Sequence, residues 1–372
     1  KMKAFADKQE TPFVVIDTSI ISQAYDDLRA GFEFAKVYYA VKANPAVEII
    51  DLLKDKGSSF DIASIYELDK VLSRGVGPER ISYGNTIKKS KDIRYFFEKG
   101  VRLFATDSEA DLRNIAKAAP GAKVYVRILT EGSTTADWPL SRKFGCQTDM
   151  AMDLLILARD LGLVPYGLSF HVGSQQRDIS VWDAAIAKVK VIFERLKEED
   201  GIELKLINMG GGFPANYITR TNSLETYAEE IIRFLKEDFG DDLPEIILDP
   251  GRSLIANAGI LVSEVVLVAR KSRTAVERWV YVDVGLFSGL IETMGEAIKF
   301  PIYTEKKGEM EEVVIAGPTC DSADIMYENY KYGLPLNLAI GDRLYWLSTG
   351  AYTTSYSAVE FNGFPPLKSF YL

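Results

Sequence analysis

Charged and polar residues follow a series of short apolar runs in the first two thirds of the chain. They are Lys42, Asp61, Asn85, Asp107, Arg127, His171, the run Gly210–Gly212 and Asp249. Burying a charged side chain is costly unless it is paired, so a single residue of this kind is most often part of a structural ion pair. Five charged residues and the only histidine, each at the end of such a run, instead indicate a catalytic or binding site.

Lys42 is the residue whose possible chemical role is clearest. It ends the apolar run VYYAVK (37–42) and is followed by the turn signal Asn44-Pro45. A lysine withdrawn from water at such a place is a good nucleophile and suits Schiff-base chemistry. The alternative is a lysine whose apolar stem lies along the strand end while its ammonium stays in water.

Two glycine-containing segments predict a phosphate site. INMGGGFP (207–214) places three glycines after an apolar run, where backbone N–H groups can approach an anion, and DPGR (249–252) adds a glycine and an arginine. A GxxxxGK[ST] loop is absent, which disfavours a nucleoside triphosphate. A reactive lysine, a phosphate site and a carboxylate able to hold a pyridine nitrogen protonated together suggest pyridoxal 5′-phosphate (PLP).

The elements that must position these residues alternate regularly. Eight β-branched or aromatic runs are separated by amphipathic segments of helical period. The predicted strands are 37–42, 58–63, 80–85, 102–107, 123–128, 166–172, 205–210 and 245–250. Eight β-α repeats predict a (β/α)8 barrel, in which chemistry collects at the carboxyl ends of the strands. A doubly wound open sheet uses the same units, but the count favours the barrel.

The alternation of strands and helices ends after residue 256, where predicted strands follow one another without long helices between them. Runs 260–272, 278–285, 311–317, 342–348 and 367–372 predict a C-terminal β-rich domain, which TPFVVID (11–17) could join. The predicted domains are therefore an N-terminal segment 1–25 that joins the β domain, a PLP-binding barrel 26–256 and the β domain 257–372.

Composition excludes several classes of protein. The chain has 372 residues, a net charge of −9, one histidine and two cysteines. Cys146 and Cys320 form no CxxC pair, so no metal site and no disulfide framework are expected. The acidic balance argues against nucleic-acid binding, and no apolar stretch is long enough for a membrane span. No secretory signal is visible, so a cytoplasmic protein is expected. A Ser-His-Asp hydrolase would have to use His171 as its base.

Eight motifs make the chain resemble the ornithine/diaminopimelate/arginine decarboxylase family, PLP enzymes with an alanine-racemase-like barrel. In order they are YAVKANP (39–45), FDIAS (60–64), FHVGSQ (170–175), GGGFP (210–214), DPGR (249–252), GPTCDSAD (317–324), GAYT (350–353) and FNGF (361–364). The resemblance extends over nearly the whole chain. Within this family, the chain most resembles the short bacterial ornithine and lysine/ornithine decarboxylases.

The resemblance implies roles for individual residues around the cofactor. Lys42 would hold PLP covalently, His171 would stack on the pyridine ring and Asp249 would meet its nitrogen. Asp61 and Arg127 would lie near the lysine and behind the cofactor. The residues implied for the phosphate are Ser174, Gly211, Gly212, Gly251, Arg252 and Tyr352.

The resemblance also implies a homodimer with active sites shared across its interface. Cys320 would act in the partner's site and control protonation of the carbanion after CO2 leaves. Asp321 would reach the distal ammonium of a diamino acid, and Phe361 would also line the substrate pocket. Glu296 falls where ornithine decarboxylases carry a substrate-binding aspartate, although Glu292 is nearby.

Asp249 departs from the family pattern, which has glutamate at this position. The shorter side chain puts its reach to the pyridine nitrogen in question, and with it activity and cofactor retention.

The substrate implied by these residues is L-ornithine, giving putrescine for polyamine biosynthesis, with L-lysine to cadaverine as a second activity. Other decarboxylases of the family, for lysine, arginine, carboxynorspermidine or diaminopimelate, remain open, as does a non-catalytic homologue that acts as a regulator. An alanine-racemase-type enzyme is disfavoured by Asp249 and the Cys320-Asp321 pair.

Overall fold

The computed structural model describes residues 2–130, 134–138 and 143–372. Its strands are β1 (Phe13–Ile16), β2 (Ala35–Ala40), β3 (Ser59–Ile62), β4 (Ile81–Tyr83), β5 (Leu103–Thr106), β6 (Lys123–Arg127), β7 (Ala136–Trp138), β8 (Val164–Ser169), β9 (Ser174–Gln176), β10 (Leu206–Asn208), β11 (Glu245–Leu248), β12 (Gly259–Arg270), β13 (Arg278–Val282), β14 (Ile302–Tyr303), β15 (Met310–Ala316), β16 (Ile325–Pro335), β17 (Arg343–Leu347) and β18 (Lys368–Tyr371). Its α-helices are α1 (Met2–Ala6), α2 (Thr18–Gly31), α3 (Val47–Asp55), α4 (Ile65–Ser73), α5 (Ser90–Glu98), α6 (Glu109–Ala118), α7 (Thr148–Asp160), α8 (Ser180–Asp200), α9 (Leu224–Phe239) and α10 (Arg252–Ile255). None of the described helices is long and apolar enough to cross a lipid bilayer.

One compact unit, Ser22–Pro214 with Asn222–Gly251, contains a closed barrel of eight parallel strands. Around the barrel the order is β10-β11-β2-β3-β4-β5-β6-β8. All eight strands predicted for the barrel are present, which confirms the predicted (β/α)8 class. A cluster of buried side chains from five different strands fills part of the interior, namely Tyr38, Ala105, Tyr125, Leu206 and Ile247. The barrel is therefore a packed core whose strand ends carry the polar residues.

Local signals start and stop the barrel helices. The hydroxyl of Ser64 accepts the N–H of Glu67 at the start of α4, while the Glu67 carboxylate accepts the N–H of Ala63 at 2.8 Å. This exchange resembles a capping box and satisfies N–H groups that a helix leaves without partners. Helix α8 ends at Gly201, which adopts a left-handed φ of 65° that glycine favours.

The second unit comprises the residues up to Ile21, Ala215–Thr221 and Arg252–Leu372. Its sheet has the order β14-β17-β12-β13-β15-β16, and β1 lies beside β12 and β18. The predicted C-terminal β-rich region is thus confirmed as a sheet. Two of its strands, β14 and β16, were not anticipated from the sequence. The long strand β12 joins the sheet together because it pairs with β1, β13 and β17.

Candidate active site

Five of the predicted site residues lie at one rim of the barrel. Asp61 is in β3, Arg127 ends β6, and Asp249 directly follows β11. Lys42 lies in a 3-10 turn, Val41–Ala43, just after β2, and His171 lies shortly after β8. The carboxyl ends of parallel barrel strands meet at one rim, so these side chains converge. In agreement with this convergence, the charges of Lys42 and Arg127 both act on the pKa values of Asp61, His171 and Asp249.

Hydrogen bonds fix the turn that carries Lys42. The hydroxyl of Tyr39 donates to the carbonyl of Asn44 at 2.8 Å, and the side-chain oxygen of Asn44 accepts the N–H of Ala46 at 3.2 Å. The Lys42 side chain itself is exposed in the single chain. The expectation of a desolvated lysine is therefore wrong for the chain alone, because the lysine stands beyond the strand end, on the turn. Burial raises the pKa values of Asp61 and Asp249, and the positive charge of Lys42 opposes this rise.

Two carboxyls, Asp61 and Asp249, share this rim, and the pKa of each is raised. Burial, together with the nearby Asp61 carboxyl, raises the pKa of Asp249 from 3.8 to about 7, although Lys42 and Arg127 oppose the shift. Burial also raises the pKa of Asp61, whose carboxylate accepts the Ser82 hydroxyl at 2.8 Å. Like charges at short range cannot both ionise freely, so the pair favours holding a proton.

The surroundings of His171 favour the neutral form of its imidazole. Burial and the positive charges of Arg127 and Lys42 hold the pKa of His171 well below its usual value. Its Nδ1 accepts the N–H of Gly173 at 2.9 Å, which assigns the ring proton to Nε2. A flat, uncharged ring at this rim can pack against an aromatic cofactor.

The glycine run after β10 forms a close backbone cradle. A Cβ at Gly211 would lie 2.8 Å from the carbonyl of Asp249, and one at Gly212 would lie 2.5 Å from the carbonyl of Gly173. Gly212 also has a φ of 93°, a conformation that L side chains rarely adopt. Among the described residues, the N–H groups of Gly211 and Gly212 have no protein acceptor. Ser174 begins β9 next to Gly173.

These features fit PLP. Bare N–H groups and a serine suit its phosphate, a neutral imidazole suits its ring, and an accessible amine suits its aldehyde. A carboxyl with a pKa of about 7 can share a proton with the pyridine nitrogen.

Arg252 and Tyr352, also predicted for the phosphate, meet in the second unit. The Arg252 guanidinium lies 4.8 Å from the centre of the Tyr352 ring. Its two terminal nitrogens donate to the two oxygens of Glu292 at 2.6 Å each, and one also donates to the Tyr217 hydroxyl at 2.9 Å. The arginine and the glutamate are 3% and 2% exposed, so this is a buried bidentate ion pair.

Glu296 has a different environment from the one expected. Its carboxylate accepts the backbone N–H groups of Glu328, Asn329 and Tyr330 at 2.8, 2.7 and 3.0 Å. Although partial burial opposes it, these three donors hold the pKa of Glu296 below its ordinary value. The carboxylate therefore anchors the unexpected strand β16, and a substrate-binding role for Glu296 stays a prediction.

Cys320, Asp321 and Phe361 are exposed and belong to neighbouring segments of the second unit. The N–H of Cys320 donates to the side-chain oxygen of Asn362 at 2.8 Å, which ties the Cys320-Asp321 segment to the one carrying Phe361. The ring of Phe361 lies 4.8 Å from that of Phe287.

The sequence analysis missed Asp324, which anchors the Cys320-Asp321 segment. Its buried carboxylate accepts the N–H of Leu286 at 2.8 Å and the hydroxyl of Thr319 at 2.7 Å. A Cβ at Gly285 or Gly317 would lie 2.1 or 2.3 Å from this carboxylate. The signal was present in the motif GPTCDSAD, whose last residue is Asp324.

Comparisons with known proteins agree with this chemistry. Residues 18–256 match a family model described as the pyridoxal binding domain of pyridoxal-dependent decarboxylases. The chain belongs to this family. The PLP cofactor, the decarboxylase activity and the resemblance predicted from the sequence are thereby confirmed.

Three relatives of this decarboxylase are similar over nearly their whole length. The lysine/ornithine decarboxylase of Selenomonas ruminantium is 33% identical over 98% of this chain and 90% of its own. The structure of a lysine decarboxylase from that organism has a TM-score of 0.89 at 31% identity, covering 100% of this chain and 94% of its own. The arginine decarboxylase of Paramecium bursaria Chlorella virus has a TM-score of 0.90 at 28% identity, covering 100% of this chain and 98% of its own.

Proposed function

We propose that this decarboxylase acts on basic L-amino acids, converting L-ornithine to putrescine and CO2, with L-lysine to cadaverine as a second activity. The proposal is carried by Asp321, an exposed carboxylate in the segment that the family resemblance assigns to the distal ammonium. A carboxylate there favours a terminal cation and disfavours diaminopimelate, whose distal group carries a carboxylate. The similarity to lysine/ornithine and arginine decarboxylases supports the basic class.

Residues of the barrel unit bind and orient the cofactor in this proposal. Lys42 Nζ holds it covalently, His171 packs on its ring, and the N–H groups of Gly211 and Gly212 with Ser174 hold its phosphate. The resemblance also implies phosphate roles for Gly251 and, among residues of the second unit, for Arg252 and Tyr352. Asp249 donates or accepts the proton at the ring nitrogen, and Arg127 and Asp61 balance the local charge.

The protein's own residues then manage the proton. When bound, PLP would supply an electron-accepting ring that stabilises the negative charge left on the substrate α-carbon when CO2 departs. Cys320, or Lys42, delivers one proton to that carbon, and the product is the diamine. This proton must come from a positioned group, because protonation of the α-carbon is the step that gives the diamine.

A homodimer with shared sites is part of the proposal. Cys320, Asp321 and Phe361 are exposed and would serve the site of the other subunit. They adjoin an exposed apolar stretch that includes Tyr356, Val359 and Phe364, as a subunit interface would require. We also propose a cytoplasmic location, because both cysteines are free thiols.

The cofactor role of Lys42 can be tested by absorbance. The purified protein should show a visible band that borohydride bleaches, and Lys42→Arg should lose it. Lys190→Arg on α8 is the matched control and should keep the band. A protein that stays colourless after addition of PLP would contradict the proposal.

The substrate is tested by CO2 release from ornithine, lysine, arginine and diaminopimelate measured side by side. Ornithine should be used best, and Asp321→Asn should lower kcat/KM for it by about 10- to 100-fold, since hydrogen bonds to charged groups contribute about 1.5–3 kcal/mol. Best use of diaminopimelate would refute the assignment of Asp321. Mixing the Lys42→Arg and Asp321→Asn proteins should restore activity if sites are shared, because mixed dimers contain one intact site.

A further inference from the structure

The buried pair between Arg252 and Glu292 has no role in the reaction as described so far. Two N–H···O bonds of 2.6 Å join the side chains in a fork, and Tyr217 adds a third bond at 2.9 Å. Burial opposes charge on Arg252, but Glu292 outweighs it and holds the arginine pKa well above its ordinary value. The guanidinium is therefore permanently charged and held in one orientation.

A buried ion pair of this kind is a poor source of stability. Desolvation of both charges offsets much of their attraction, and apolar residues of similar volume are often as stable. Such a pair is better explained when the orientation of one member matters. Arg252 begins α10, directly after Gly251 of the DPGR motif that the sequence assigns to the cofactor phosphate.

We propose that Glu292 is a positioning residue that orients Arg252 in advance for the phosphate of PLP. A guanidinium has five donors and more than one donor edge. The fork with Glu292 fixes one edge, and this sets the direction of the others. Arg252 then loses little conformational freedom when the phosphate binds. The inference rests on the proposed phosphate role of Arg252.

The position of Glu292 also links two functions. It belongs to the 3-10 segment Ile291–Glu296, whose last residue falls where the family resemblance implies a substrate-binding carboxylate. Glu292 ties the start of this segment to Arg252, and Glu296 ties its end to β16. Both carboxylates are engaged in bonds within the protein, which hold the segment at its two ends.

The proposal is tested by cofactor affinity. The dissociation constants of PLP and of pyridoxal, which lacks the phosphate, would be measured by equilibrium dialysis with the full-length protein stripped of cofactor. Ordering one long side chain costs about 0.5–1.5 kcal/mol, so Glu292→Gln should weaken PLP binding by about 2- to 12-fold. Pyridoxal binding should not change. Glu292→Asp, which keeps the charge, should restore part of the ratio of PLP affinity to pyridoxal affinity that Glu292→Gln loses.

Controls separate this inference from a structural effect. Glu311→Gln removes the partner of Arg270 and Arg278 in the same unit and should leave the ratio unchanged. Equal weakening of PLP and pyridoxal in Glu292→Gln would mean a structural role only, and tighter PLP binding would mean that Glu292 repels the phosphate. Either result overturns the inference. If Arg252→Ala leaves the ratio unchanged, the phosphate role of Arg252 itself fails. If Arg252→Ala lowers the ratio and Glu292→Gln does not, only the positioning role of Glu292 fails.

Discussion

Replacing Asp249 by asparagine should stabilise the cofactor-free protein, and the gain should be larger above neutral pH than near pH 5. Burial and the Asp61 carboxyl raise the pKa of Asp249 from 3.8 to about 7 in the folded protein. In the unfolded chain the carboxyl ionises near 3.8. Between these values the folded protein holds a proton that the unfolded chain has released. Raising the pH through this window therefore lowers the free energy of unfolding.

The size of the effect follows from the shift. A change from 3.8 to about 7 is about 3 pKa units, or about 4 kcal/mol at 1.36 kcal/mol per unit. Asp61 shares the proton and solvent screens the half-buried carboxyl, so we expect about 1–2 kcal/mol. Asparagine resembles the protonated aspartic acid and does not ionise, so the variant does not lose free energy of unfolding in this way as the pH rises.

Thermal unfolding of the stripped protein and the variant at about pH 5 and pH 8 measures the difference. The variant should gain about 2–4 °C per kcal/mol relative to wild type, with the larger gain at the higher pH. Asp153→Asn, on the exposed side of α7, is the matched control and should show no pH-dependent gain. A gain that is equal at both pH values, or a variant that is less stable at pH 8, would refute the reasoning.

Three further outcomes are expected. Lys88→Met should lower the free energy of unfolding by about 3–5 kcal/mol in denaturant titrations, because it leaves the buried Asp111 unpaired, and adding Asp111→Leu should recover most of the loss. Glu296→Ala should lower stability by about 1–3 kcal/mol without changing the ornithine-to-lysine preference in CO2 release; a changed preference would restore its substrate role. Asp324→Asn should lower kcat by about tenfold at unchanged PLP content, because the Cys320 segment loses its anchor; unchanged kcat would dismiss that function.

The barrel could be predicted because its signals are local. Each of the eight strands is a short apolar run, and each helix repeats its apolar residues at a period that a single sequence shows. The boundaries were less accurate. The first barrel strand was expected over 37–42 but ends at Ala40, since Lys42 already belongs to a 3-10 turn set by Asn44. This shift explains why the lysine is exposed.

Strand β16 shows what local patterns cannot reveal. Its middle contains Glu328 and Asn329, exposed polar residues where its register against β15 shifts. The backbone N–H groups at this irregularity are satisfied by Glu296, some thirty residues earlier in the chain. A bond between distant residues leaves no mark in the periodicity of either segment. The same holds for Arg252 and Glu292, which are 40 positions apart.

The distribution of carboxylates bears on the proposed breadth of substrates. In the segments 289–301 and 317–324, Glu292 is paired with Arg252, Glu296 holds backbone N–H groups, and Asp324 anchors a loop. Asp321 is the exposed carboxylate of this set. If one carboxylate binds the distal ammonium, ornithine and lysine differ only in that lysine has one more methylene between that ammonium and the α-carbon. A difference of one methylene is worth about 1–3 kcal/mol. Preference without strict exclusion is therefore the expected behaviour of this site.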